Sequence, residues 1–170
     1  LSVKLAEQIQ QQFVGVIWRS LRNAPPLEVL LKDLVPFLSN HQKTQAEIGQ
    51  LLQCLRETRC LAILDNMETI LDAEHVGRFR AGYEPYGELL RLIAETSHQS
   101  CLVLTAREKP SEVASLEGVT LPVRSWQLKG LQPAEGKELL TAKSFLNGSQ
   151  EEWLDLVQRY SGNPLALKIV

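Results

Sequence analysis

No run of apolar residues in this 170-residue chain approaches the roughly 18 that suggest a membrane-spanning helix. The first residues do not read as a secretory leader either, because Leu1 to Gln12 alternates charged and apolar residues. An excess of basic charge is also lacking. Lys and Arg number 18 against 20 Asp and Glu, for a net charge of -2 and a pI near 6.0, which argues against a surface built mainly to hold nucleic acid. Cysteine is scarce. Cys54, Cys60 and Cys101 show no metal-ligand spacing, and three cannot all pair. Cys60 and Cys101 lie inside apolar runs and read as buried free thiols of a reducing compartment, so the expected location is cytoplasmic. His41, His75 and His98 are scattered singly, the pattern of surface or boundary residues and not of ligands. No internal repeat or low-complexity segment is visible.

What is present is the composition of a soluble globular protein with a real core, 44% apolar and 22% charged. The length suits one domain and a fragment of a second. Leu1, Leu5, Ile9 and Phe13 recur every four residues, so the chain opens inside a helical pattern with no capping residue before it. It ends as abruptly, in Leu165-Ala166-Leu167-Lys168-Ile169-Val170. Both ends read as cuts from a longer protein.

Four short runs predict strands: Val14 to Arg19, Cys60 to Asp65, Cys101 to Ala106 and Val123 to Leu128. The second and third are apolar at both alternating positions, as in strands covered on both faces of a parallel sheet. The fourth alternates and suits an edge. Helical patterns separate the strands. Pro26 opens one that carries Leu27, Leu30, Leu31 and Leu34. Thr44, with Glu47 three residues on, forms a capping box for a second that carries Ile48, Leu51, Leu52 and Leu55. A third runs from about Tyr86 through Leu89, Leu90 and Ile93. Strands alternating with helices predict a parallel α/β sheet. After Leu131 the signals are helical only. Pro133 starts one helix, Ser149 and Glu152 box another, Ser161-Gly162-Asn163 stops it, and Pro164 begins the last. The expected organisation is an α/β unit over 1–130 and the start of a small helical unit over 131–170.

In open parallel sheets, ligands sit beyond the carboxyl ends of the strands. Those ends carry Asp65, then Thr105 and Arg107, then Lys129 and Gly130. Each alone has a plain reading: a helix cap, a polar strand exit, a solvated lysine. Together they favour an anionic ligand, with an acid for a metal ion and a base for phosphate.

These residues lie in four stretches. "LAILDNMETIL" resembles the Walker B strand of P-loop ATPases. "LVLTAREKP" is similar to a sensor strand ending in Thr-x-Arg. "WQLKGLQPAEGKELL" resembles the strand-to-helix junction that follows, and "YSGNPLALKIV" a Gly-x-Pro-Leu-Ala-Leu motif. In this order they resemble the NB-ARC (STAND-class) group of signal-transducing ATPases, and "GYEPYGELLRLIAE" looks like its bacterial branch. The resemblance covers nearly the whole chain. It implies a three-layer P-loop NTPase-type sheet and an ADP/ATP switch that depends on Mg²⁺. Asp65 would hold the Mg²⁺ through bound water. Arg107 would contact the γ-phosphate, and Thr105 would orient the loop or touch the nucleotide. Gly162, Asn163 and Pro164 would lie at the adenine, although Asn163 replaces the usual Leu. Asn66 stands where a second acid is usual and cannot act as a base. Glu68 is either its substitute or a solvated acid at a loop or helix start. Hydrolysis in the complete protein would be slow.

The P-loop itself, G-x-x-x-x-G-K-[ST], occurs nowhere in these residues. The resemblance therefore implies a stretch that begins just after it, without ATPase activity of its own. Loss of the P-loop strand would leave two inner strands unpartnered. The implied partners are nucleotide, other domains of the same longer chain (a C-terminal repeat array above all) and further copies in a homo-oligomer, with no nucleic acid and no membrane. Two other readings stand beside this one. A phosphoacceptor receiver would use Asp65, Thr105 and Lys129, and a scaffold of the same fold would bind no nucleotide.

Overall fold

The computed structural model describes residues 2–141 and 149–169, so Leu1, the first residue of the expected helical pattern, and Val170 lie outside the described residues. The chain divides into two compact units, 1–124 and 125–170, each described by itself.

The first unit is built on a parallel sheet of three strands, β1 (Gly15–Ser20), β2 (Cys60–Asp65) and β3 (Cys101–Leu104), in the order β1-β2-β3. The register sets Gly15 against Cys60 and Ser20 against Asp65 on one side, and Leu61 against Cys101 on the other. With the order running one way across the sheet, right-handed crossovers send every connecting helix to the same face. That face carries α2 (Leu27–Leu38), α3 (Ile48–Glu57) and α4 (Glu84–Glu95). They bury Leu30, Leu34, Leu51, Leu55, Tyr86 and Leu89 against Ile17, Ala62 and Leu64 of the strands. Each fully buried Leu or Ile contributes roughly 1.5–3 kcal/mol relative to exposure.

The opposite face takes the alternate residues, Val16, Trp18 and Ser20 of β1 with Leu61, Ile63 and Asp65 of β2. A helix of about two turns, α1 (Ser2–Ile9), meets this side through Ser2, whose hydroxyl bonds with Trp18 and Asp65. Leu61 and Ile63 are both at 0% exposure, so β2 is buried on both sides, as its unbroken apolar run predicts. A 3₁₀ turn, Gln10–Gln12, joins α1 to β1, and another, Met67–Ile70, follows β2. A short helix, α5 (Ser111–Leu116), follows β3.

Three expectations are corrected. The Val123–Leu128 run forms no strand; it contributes an isolated β-bridge, from Val123 to Glu117. Arg124 is the reason. Its guanidinium donates to the carbonyls of Gly118, Val119, Leu121 and Val123, which gathers the preceding backbone into a turn. The Thr44 capping box is absent, and α3 starts at Ile48 with no side-chain cap. The two strands expected to lose a partner pair with each other instead. The β2 and β3 ladders join directly, which satisfies the inner backbone groups without a further strand between them. The fold is thus α/β with a small parallel sheet, and nothing beyond that coarser class is fixed by its strand order.

In the second unit, α6 (Pro133–Thr141), α7 (Gln150–Arg159) and α8 (Pro164–Ile169) enclose Leu140, Val157 and Leu167. The capping box at α7 is complete. Ser149 Oγ accepts from the Glu152 amide at 3.3 Å, and Glu152 Oε2 accepts from the Ser149 amide at 2.7 Å.

Candidate functional site

The polar residues at the carboxyl end of β2 form one hydrogen-bonded group. Thr105, just past β3, is its organiser. Its hydroxyl donates to Asp65 Oδ1 at 2.6 Å and accepts from the Asn66 amide at 3.2 Å. Its backbone amide donates to the Leu64 carbonyl at 3.0 Å, and its carbonyl accepts from the Met67 amide at 2.9 Å. The β2–β3 pairing is in effect extended around the bend by one threonine.

Asn66 makes that bend. Its φ of 66° and ψ of 46° place it in the left-handed region, which Asn tolerates better than most residues because its short amide bonds locally. Here Asn66 Oδ1 accepts from Ser20 Oγ at 3.1 Å and its Nδ2 reaches Glu68 Oε1 at 3.5 Å. The residue read as a replaced acid therefore has a conformational role. Glu68 in turn faces the Arg107 guanidinium at 3.5 Å, and Arg107 itself is 87% exposed.

Sequence reasoning missed Ser2, Trp18 and Ser20. Trp18 Nε1 donates to Ser2 Oγ at 3.2 Å, and Ser2 Oγ donates to Asp65 Oδ1 at 3.2 Å. The signal that could have found Trp18 and Ser20 is the period of two in β1. In parallel register with β2 it puts both on the side of Asp65. Trp18, Ser20, Arg22, Asn23, Asp65 and Asn66 line an open cavity of about 410 Å³.

Asp65 is the residue expected to meet Mg²⁺. Asp65 Oδ1 already accepts from two hydroxyls, and no group of three or more His, Cys, Asp or Glu side chains is gathered among the described residues. Mg²⁺ keeps several waters and takes only one or two carboxylates, and the carboxylates near this strand end are Asp65 and Glu68.

Gly162, Asn163 and Pro164 belong to the second unit. There they make a helix-to-helix turn. The Ser161 amide donates to the Gln158 carbonyl and the Gly162 amide to the Val157 carbonyl, both at 2.8 Å, the double bond pattern that closes a helix end. Asn163 Oδ1 accepts from the amides of Leu165 at 2.9 Å and Ala166 at 3.2 Å, which caps α8, and Pro164 fills its first position. Gly130 and Gly162 allow the two chain segments to touch. A Cβ on Gly130 would sit 1.9 Å from the Ser161 carbonyl oxygen, and one on Gly162 would sit 2.4 Å from that of Leu131. Lys129, next to Gly130 in the chain, belongs to the second unit.

No family model matches the chain. It is similar to a protein of Nostoc sp. described as an uncharacterized WD repeat-containing protein, 54% identical over 185 aligned residues. All of this chain is matched, and it spans 15% of that relative's length. The relative's description overturns the NB-ARC expectation, and with it the nucleotide switch, and nucleotide as a partner gains no support. The receiver and the nucleotide-free scaffold of that fold gain no support either. The geometry gives a physical reason for the misreading. Asp65, Asn66, Thr105, Gly162 and Asn163 all have structural work to do, in a strand exit and a helix-to-helix turn, and such turns reuse the same polar and glycine residues that ligand motifs use. No helix among the described residues is long and apolar enough to cross a membrane.

Proposed function

We propose that this chain is a protein-interaction module that works beside the repeats of a larger WD repeat-containing protein. The observation that carries this reading is the relative's description, joined to the extent of the match: the whole of this chain at 54% identity within 15% of the relative. WD repeats fold as four-stranded propeller blades of about 40–45 residues. Three parallel strands joined by helices are not such a blade, so the module is the non-repeat partner of the arrangement.

Its own surface supports the reading. In the second unit Trp126 and Leu128 are 82% and 73% exposed. They stand two residues apart in a segment without regular secondary structure. Exposed Trp is the side chain most often found at the energetic centre of protein interfaces. On α8, Leu165 and Ile169 are also exposed, one turn apart. Cross-linking mass spectrometry on the full-length Nostoc relative tests the proposal. Cross-links should join the counterpart of residues 123–132 to the repeats. Cross-links confined within the counterpart of this chain would contradict it.

A further inference from the structure

A second cavity, of about 550 Å³, lies at the other end of the sheet, where β1 and β2 begin. Cys54 and Cys60 both line it, with Leu38, Phe37 and Lys43 around them. Cys54 lies in the last turns of α3 and Cys60 opens β2; both are free thiols, at 2% and 1% exposure.

The connection between them is a tight turn pinned to one hydroxyl. The Thr58 amide donates to the Cys54 carbonyl at 3.0 Å. Ser100 Oγ lies 2.9 Å from the Leu55 carbonyl and 2.8 Å from that of Thr58, and accepts from the Cys60 amide at 2.9 Å. The end of the helix and the start of the strand are thereby held together, and both cysteines line the one cavity. Each thiol is shifted upward by burial, and that of Cys60 further by Cys54 beside it. Lys43, paired with Glu57 at 2.7 Å at the cavity's edge, opposes the shift at Cys54.

We propose that Cys54 and Cys60 form a dithiol pair that closes to an intramolecular disulfide when a hydroperoxide enters this cavity. The Cys54 thiolate attacks the peroxide oxygen. An S–O bond forms, the O–O bond breaks, and the leaving oxygen departs as alcohol or water with the proton of Cys54. Cys60 then attacks the sulfenic sulfur. The S–S bond forms, the S–O bond breaks, and water leaves with the proton of Cys60. Two thiols lose two electrons and one hydroperoxide gains them. Cys54 attacks first because Lys43 favours its thiolate. Burial keeps both thiols protonated at rest, which restricts the step to oxidising conditions. The new bond would tie the end of α3 to the start of β2. This inference does not depend on the interaction reading.

The test uses the intact chain with Cys101→Ser, which removes the exposed thiol. After treatment with hydrogen peroxide, non-reducing peptide mapping should find Cys54 joined to Cys60, with a loss of about 2 Da that dithiothreitol reverses. In the Cys60→Ser variant, Cys54 should stop at a sulfenic acid captured by a dimedone tag. Two free thiols persisting in excess peroxide would overturn the proposal. So would progression to sulfinic acid without any linkage. Should Cys60→Ser fail to fold, the mapping of the Cys101→Ser chain decides alone.

Discussion

The hydroxyl of Thr105 donates to Asp65 Oδ1 at 2.6 Å, and this short bond joins the exits of β2 and β3. Hydrogen bonds to a charged acceptor contribute roughly 1.5–3 kcal/mol. Thr105→Val should therefore lower unfolding free energy by about 2 kcal/mol. Asp65→Asn in the same background should add less than it does alone, because both changes remove one interaction. Urea unfolding of the two single variants and the double variant measures the coupling; strict additivity would show that the bond contributes nothing.

At Asn66 the left-handed backbone, φ 66°, sets the outcome. Asn66→Val should destabilise the first unit by about 1–2 kcal/mol, because a β-branched side chain crowds the backbone there. Asn66→Gly should cost much less. Equal losses for the two in chemical denaturation would mean that the amide contacts, and not the conformation, are what matter.

The turn between α7 and α8 is constrained twice. Gly162 has φ of +65°, and an added Cβ would meet the Leu131 carbonyl oxygen at 2.4 Å. Gly162→Ala should destabilise the second unit by more than about 1 kcal/mol. Hydrogen exchange should then quicken in α7 and α8 while β2 keeps its protection. Unchanged exchange in both helices would count against the close contact.

Arg19 and Asp33 form an exposed pair joined by two hydrogen bonds, one from Nε to Asp33 Oδ2 and one from Nη2 to Oδ1. The bond from Arg19 holds the Asp33 carboxyl below its ordinary value near 3.8. A depressed carboxyl contributes stability above its unfolded value and loses it as pH falls through the folded one. The native chain should therefore exceed Asp33→Asn at pH 7 by less than about 1 kcal/mol, as suits a solvent-screened pair. The gap should close below about pH 4. Thermal melts across that range check the sign.

Local chemistry was legible in the sequence where one signal acted alone. The apolar run of β2, the Leu27–Leu30–Leu31–Leu34 stripe of α2 and the Ser149–Glu152 box all stand as read. The fourth strand was misread because the alternation over Val123–Leu128 is silent about Arg124, whose five donors can gather several carbonyls at once. Ser2 and Trp18 were missed because their meeting at Asp65 depends on strand register and on where α1 packs, and neither is a property of any short window. The functional misreading has the same origin. An acid, a threonine and a Gly-Asn-Pro turn are equally the parts of a ligand site and of a stable strand exit or helix-to-helix turn. Spacing alone does not separate the two.

The claim that the chain is an interaction module is tested most directly by calorimetry. The 170-residue chain is titrated into the separately expressed repeat region of the Nostoc relative, with Trp126→Ala in parallel. Saturable binding that weakens at least about tenfold in the variant, a loss near 1.4 kcal/mol, is the predicted result. No heat of binding for the native chain, with both partners shown to be folded, would contradict the account.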